Sequence, residues 1–406
     1  MPQALWWKRD IVPARAYDSS CVRLLGCVPS VLLTPAHLYN RLVPCICTST
    51  YPLYTHRLKM TAINGNGVPK KNVVLITGAG GWLGGILANA LQSDPRTPNM
   101  HLILADIVKP KLPNSPKNAL SITADLTTKE GVDALFRTEF GVPDTVYCFH
   151  GIMSRGSEDN FELGLKVNID SIRLMLDSAR HHKPSCGQPI KFIFTSSLAV
   201  YGGPLPAVVD INTIATPEGA YGMGKLSSEL LVNEYTRRGF VDGRILRLPT
   251  IVVRPGPPSA ATSAFISGII REPLHGVKAI CPVGDSLESK ELELAAWVAS
   301  PETTIKNFVI AKHIPAEKFL PHTRVAYLPG FTVTVREELE ALAQVAGKQA
   351  LDLVTFQDDP INRRIVGSWP ARFDNAYPLS LGFVVDEGGM VPVVQRFKEA
   401  VDAGLV

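Results

Sequence analysis

The sequence predicts an α/β chain, a doubly wound parallel sheet followed by a smaller C-terminal region. Three observations predict it. The run NVVLITGAGGWLGGILANAL passes from a β-branched apolar stretch through a glycine turn into a helical pattern. Short apolar runs then alternate with helical stretches as far as Ile251. From Pro255 prolines loosen the pattern until regular elements return in FTVTVREELEALAQVAG. Alternation of strand and helix puts helices on both faces of a parallel sheet, whose strands read as continuous apolar runs because neither face meets water.

Residues 1 to about 69 stand apart from this pattern. They lack a helical or strand period, and prolines and aromatics interrupt every apolar stretch. Before Met60 the basic residues Lys8, Arg9, Arg15, Arg23, Arg41, Arg57 and Lys59 face only Asp10 and Asp18. Basic, acid-poor composition suits a mitochondrial presequence. The other reading is a translated upstream region, with Met60 the natural start.

The strands are expected at residues 72–77, 101–106, 120–124, 145–149, 191–196 and 244–251, and the clearest helices at about 81–91, 161–179 and 221–238. The region from 70 to 254 is thus the sheet domain, of Rossmann type. Residues 255–406 form mainly a covering region at the sheet's open end, with some segments returning to the sheet.

With 406 residues, of which 46% are hydrophobic, the chain can bury a large core. The net charge of +4, from 41 basic and 37 acidic residues, gives no reason to expect nucleic acid or an acidic membrane as partner. No apolar run reaches the roughly 20 residues of a membrane span, so a soluble protein is expected. Cys148, Cys186 and Cys281 are far apart and show no metal-ligand spacing; no metal is expected, and the cysteines suit a reducing compartment.

Gly78, Gly81 and Gly84 give a G-x-x-G-x-x-G spacing at the first strand-to-helix turn. Glycine there permits the tight turn and lets backbone approach a pyrophosphate, whose charge meets the positive end of the helix. Trp82 and Leu83 belong to the same turn. About twenty residues on, Asp106 ends the second strand, where a carboxylate accepts hydrogen bonds from ribose hydroxyls and repels a 2′-phosphate. These features point to NAD rather than NADP, with Lys109 and Lys111 softening the repulsion. Asp125 and the adjoining Leu126, in Thr-Ala-Asp-Leu, are the expected adenine contacts.

Tyr221 and Lys225 stand four apart at the start of a helix and so project from one face. A phenol with its ordinary pKa near 10 is a poor base at neutral pH, and an ammonium one turn away is expected to favour the phenolate. Thr195, Ser196 and Ser197 end an apolar strand at the carboxyl edge, where ligands bind in open α/β sheets. Of the three, Ser197 is the candidate to hold a substrate oxygen as charge builds on it; Ser196 is the neighbour that satisfies backbone groups.

These stretches resemble the extended short-chain dehydrogenase/reductases, the NAD-dependent epimerase/dehydratase family. The resemblance rests on TGAGGWLG at 77–84, SSLAVYG at 196–202 and the Tyr221/Lys225 pair, and covers roughly 71–400. It implies that Tyr221 is the acid/base, that Lys225 also binds the nicotinamide ribose, that Ser197 bonds the reacting oxygen, and that Leu248, Pro249 and Thr250 lie against the nicotinamide. Within the family, GFVDG at 239–243, RLPTIVVRPGPPSAATSAFISGIIREPLHG at 247–276, LPGFTVTV at 328–335 and SWPARFDN at 368–375 are most similar to the D-erythronate dehydrogenase group. That group oxidises the C2 hydroxyl of a four-carbon sugar acid with NAD. A carboxylate-bearing substrate calls for an arginine; Arg254, Arg271 and Arg372 are the candidates, and Arg271 is preferred. Cys148-Phe149-His150-Gly151 departs from the family's usual His-Leu-Ala-Ala type, and His150 adds a bulky polar group expected beside the cofactor.

Three other readings use the same apparatus or part of it: a nucleotide-sugar epimerase or dehydratase that returns the hydride, an NAD(P)H-dependent ketone reductase, and a non-enzymatic dinucleotide sensor. The expected partner is a small hydroxy acid or sugar. The resemblance adds a homodimer as the assembly to expect, and the location is cytoplasmic, or mitochondrial where the N-terminal extension is a genuine presequence.

Overall fold

The apolar run Asn72–Thr77 forms β1, and every residue after Asn72 is buried. The computed structural model describes residues 72–257 and 261–406; both readings of residues 1–69 lie outside the described residues. Glycines turn β1 into α1 (Trp82–Gln92), and the alternation continues through β2 (Met100–Asp106), β3 (Ala119–Thr123), α2 (Lys129–Leu135), β4 (Thr145–Cys148), α3 (Ser154–Asp159), α4 (Phe161–Leu165), α5 (Ser171–His181), β5 (Ile190–Ser197), α6 (Ala220–Arg237) and β6 (Val241–Leu248). The second half comprises β7 (Thr250–Ile251), α7 (Ala264–Leu274), β8 (Ala279–Cys281), β9 (Ala295–Ala299), α8 (Pro301–His313), β10 (Val325–Tyr327), β11 (Phe331–Thr334), α9 (Val335–Ala346), β12 (Val354–Phe356), α10 (Pro360–Gly367), α11 (Ala376–Ser380) and α12 (Met390–Asp402).

Seven strands make one parallel sheet in the order β10-β6-β5-β4-β1-β2-β3. Side chains alternate across it, as strand geometry requires. Phe192 and Phe194 pack with Ile172 and Met175 of α5 on one face, while Ile193 packs with Leu87 of α1 and Phe308 of α8 on the other. α8 and β10, far along the chain, therefore return to the sheet. A separate core joins Ile269 of α7, Leu342 of α9 and Val394 of α12. Among the described residues no helix is long and apolar enough to cross a membrane.

Two elements differ from the expected ones. The strand expected over 244–251 is divided: Pro249 has no N–H to give to the ladder, so β6 ends at Leu248 and β7 pairs with β9 in a second sheet. That break aims Pro249 and Thr250 away from the sheet. The helix expected over 161–179 is interrupted by a wide turn at Lys166–Asp170. There the Asn168 carboxamide clasps Ile152, donating to its carbonyl at 3.0 Å and accepting from its N–H at 2.9 Å.

Glu338, on α9, is 1% exposed, and neither carboxylate oxygen has a partner. It faces Phe265, Leu294, Val333 and Val366. Burial pushes its pKa well above the ordinary carboxylate range. A carboxyl whose folded pKa is raised contributes stability below its unfolded pKa, about 4.3, that is lost as pH rises. Glu338→Leu is expected to raise stability at pH 8 by about 1–3 kcal/mol, with a smaller gain near pH 4. Equal midpoints for the two proteins in urea denaturation at pH 8 would refute this.

Candidate active site

The glycine turn shows the marks of a ligand cradle. Gly78 has φ +71°, open to glycine and strained for other residues, and a Cβ on it would lie 2.5 Å from the His150 nitrogen. A Cβ on Gly84 would lie 2.7 Å from Ala79 Cα. No side chain caps the start of α1 at Gly81, which leaves its N–H groups and its positive end for an anion. At the carboxyl end of β2, Asp106 accepts from the Gly80 N–H at 2.9 Å and the Ile107 N–H at 2.7 Å. It thus fixes the turn.

Gly78, Gly81, Trp82, Leu83 and Gly84 line a cleft of about 310 Å³ together with Ser197, Tyr221, Pro249, Thr250 and Arg254. The sequence-predicted groups from β1, β5, α6 and the β6–β7 break therefore meet in one place. Asp125 and Leu126 are not in its lining: Asp125 accepts from the Thr127 N–H at 2.9 Å and orders its own loop, and Leu126 is buried in the core.

Tyr221 is half-buried. Burial raises its phenol above the ordinary range, opposed by a hydrogen bond with Ser197 and then by the Arg254 guanidinium. Lys225 does not supply that opposing pull. Its ammonium donates to the Thr195 carbonyl at 2.9 Å and lies 5.6 Å from the centre of the Tyr221 ring; burial lowers its pKa to about 8. Ser197 Oγ accepts from the Ala199 N–H at 3.1 Å, which leaves its proton for a partner in the cleft. Ser196 donates to Glu229 at 2.5 Å rather than to backbone. Thr195 Oγ1, on the cleft wall, is buried without a partner.

Of the three candidate arginines the structure brings only Arg254 into the cleft. Its Nε donates to the Ile251 carbonyl at 3.0 Å and its Nη2 to Ser263 Oγ at 3.2 Å, while Nη1 has no hydrogen-bond partner among the described residues. Arg271, the preferred candidate, lies outside the cleft lining. Its side chain is 7% exposed, pairs with Glu272 at 2.5 Å and donates to the Arg254 carbonyl at 3.0 Å, so it steadies Arg254 from behind. Arg372 is exposed, outside the cleft lining, and its carbonyl accepts from the Val209 N–H. The His150 side chain is outside the cleft lining and is held by internal contacts. Its Nδ1 meets Thr77 Oγ1 at 2.6 Å and its Nε2 meets Ser171 Oγ at 2.8 Å. Ser171 gives its own proton to the Val167 carbonyl, which assigns the ring proton to Nε2. Burial lowers the His150 pKa to about 3, so the ring is neutral.

Sequence reasoning missed Phe149, Ser154, Ser263 and Trp369, all on the cleft wall. Ser263 and Trp369 lie in stretches 247–276 and 368–375, where a signal existed; Ser154 follows β4 in a segment with no pattern.

Residues 74–292 match the NAD dependent epimerase/dehydratase family. The chain belongs to that family. Its cofactor is NAD. The chain is 40% identical to a D-erythronate dehydrogenase of Haemophilus influenzae, over 80% of this chain and 98% of that one, and 40% identical to a D-erythronate dehydrogenase of Cupriavidus necator, over 82% and 99%. Among solved structures it is similar to a nucleoside-diphosphate-sugar epimerase from Agrobacterium tumefaciens, with TM-score 0.72 and 31% identity over 82% of this chain and 93% of that one.

The cradle fits the NAD pyrophosphate at the start of α1. Gly84→Ala would drive a methyl into the backbone of Ala79, so NAD affinity, followed by tryptophan fluorescence, is expected to fall at least about tenfold, or 1.4 kcal/mol. Unchanged affinity in a folded variant would remove the turn from the cofactor's seat.

Proposed function

We propose that this NAD-dependent dehydrogenase oxidises the C2 hydroxyl of D-erythronate, or of a closely related sugar acid, to the 2-oxo acid. The observation that carries the reading is the shared cleft of Tyr221, Ser197, Arg254 and the glycine turn. The names of the two relatives at 40% identity support the substrate.

In this reading the open Nη1 of Arg254 takes the substrate carboxylate, a charge-assisted bond that orients C2. Ser197 donates to the C2 oxygen, and Tyr221 as phenolate removes its proton. NAD, when bound, accepts the hydride that leaves C2 as the carbonyl forms. Gly78, Gly81 and Gly84 hold the pyrophosphate, Asp106 the adenosine ribose, Asp125 and Leu126 the adenine end, Lys225 the nicotinamide ribose, and Pro249 and Thr250 the nicotinamide face. Oxidation releases one proton per turnover, and Tyr221 passes it to solvent before the next cycle. A cytoplasmic location and a homodimer accompany this reading.

The experiment is NADH formation from NAD and D-erythronate between pH 7 and 9. Tyr221→Phe is expected to lower kcat by about 10²–10⁴-fold, the range for positioned acid–base groups. An NAD-binding protein that forms no NADH from D-erythronate, yet interconverts a nucleotide sugar without net cofactor change, would favour epimerisation.

Arg254 gives a sharper test. Its charge favours the phenolate, so removing it raises the Tyr221 pKa. Arg254→Met is expected to raise KM for the acid at least about tenfold and to move the acid limb of the kcat profile to higher pH. A raised KM with the pH profile unmoved would leave Arg254 as an anchor alone.

A further inference from the structure

A second cavity, of about 490 Å³, adjoins the cleft and shares Ser154, Ala199 and Trp369 with it. It is larger than the cleft that holds Tyr221. The nicotinamide end of NAD has to occupy part of the first cavity, beside Pro249 and Thr250. A substrate anchored on Arg254 and Tyr221 then has its free end at the wall the two cavities share.

The groups around the second cavity are polar and of both kinds. Glu158 and Glu218 supply acceptors: Glu158 Oε1 accepts from the Ala220 N–H at 2.6 Å, and its second oxygen has no hydrogen-bond partner among the described residues. Arg155 and Arg364 supply donors. Arg155 is held by Asp159 at 2.8 Å, whereas the Arg364 side chain has no hydrogen bond or ion pair among the described residues. Hydroxyl groups both donate and accept, and so match a wall of mixed donors and acceptors. A terminal phosphate matches it poorly, because two carboxylates face the same space.

We propose that this cavity is a subsite for the distal hydroxyls of sugar acids longer than four carbons, so that five- and six-carbon aldonates are substrates alongside D-erythronate. The proposal rests on the dehydrogenase reading above and extends it. Arg364 bonds a distal hydroxyl, Glu158 and Glu218 accept from others, and Trp369 forms the wall past which the carbon chain runs.

The test compares kcat/KM for D-erythronate, D-ribonate and D-allonate, which share configuration at C2 and C3, in the wild type and two variants. In the wild type D-ribonate is expected to match or exceed D-erythronate. Arg364→Ala is expected to lower the ratio of D-ribonate to D-erythronate about tenfold. Ser368→Trp, which places a bulky ring in the cavity from an exposed position, is expected to lower it further and to act most strongly on D-allonate. Oxidation of D-erythronate without oxidation of the longer acids, or ratios that neither variant changes, would overturn the subsite and leave the dehydrogenase reading intact. Failure of all three acids with NAD still bound would overturn the dehydrogenase reading and the subsite with it.

Discussion

The buried ion pair between Arg247 and Glu229 is the interaction on which the site depends. Arg247, at the end of β6, donates from Nε and Nη2 to the two Glu229 oxygens at 2.9 and 2.6 Å, and from Nη1 to the Tyr201 hydroxyl at 2.6 Å. Glu229 also accepts from Ser196 of β5. One clasp thus joins β5, β6, α6 and the segment after β5. Glu229 lies about two helical turns beyond Tyr221, so the clasp sets how far α6 slides along the strand ends that present Ser197 and Pro249. Both partners are nearly excluded from water. Loss of one would strand the other as a buried charge, at a penalty of about 3–5 kcal/mol. The pair's value here is registry: it holds α6, which carries Tyr221, and the end of β5, which carries Ser197, in fixed relation.

That clasp was not legible in the sequence, although the elements it joins were. β1, β2, β4 and β5 announce themselves as short β-branched or aromatic runs because both faces of a parallel strand are buried. The glycine turn and Asp106 stood out because a pyrophosphate and a ribose make demands on residue types at fixed spacing, and the fold joins the two through the Gly80 N–H. Where a residue's role depends on which way one side chain turns, the sequence offers less. Arg254, Arg271 and Arg372 all sit in informative stretches, yet only Arg254 of the three lines the cleft, held there by its contacts to Ile251 and Ser263. His150 reads as an intrusion beside the cofactor; it is an internal tie between Thr77 and Ser171. Periodicity reports faces, and hydrogen-bond partners from distant segments decide the rest.

The electrostatics of Tyr221 follow from the same geometry. A phenol in a cleft of low polarity resists ionisation, and burial is the largest influence on it. The expected remedy was the ammonium of Lys225, four residues on. In the folded chain that ammonium is turned to the Thr195 carbonyl and is itself buried, which weakens its hold on a proton. Arg254 and Ser197 supply the opposing pull from outside the helix. A guanidinium keeps its charge at any pH where the enzyme works. Its influence on Tyr221 therefore does not fade as pH rises, whereas an ammonium with a pKa of about 8 would begin to lose its own within the working range.

In the proposed mechanism this arrangement divides proton handling from substrate choice along the chain. Tyr221 and Ser197 sit on α6 and β5, clasped to the sheet. Arg254, Ser263 and Trp369 come from segments after Pro249, where the chain has left the main sheet for a second one. Arg254 is braced from behind by Arg271, which is itself neutralised by Glu272. Arg254 therefore has its own support, independent of the Arg247–Glu229 clasp. Changes to the walls contributed by residues 262–263 and 364–369 alter what fits without disturbing the register of α6 on β5. The break at Pro249, where the chain leaves the main sheet for the second, keeps the two sets of residues on separate elements.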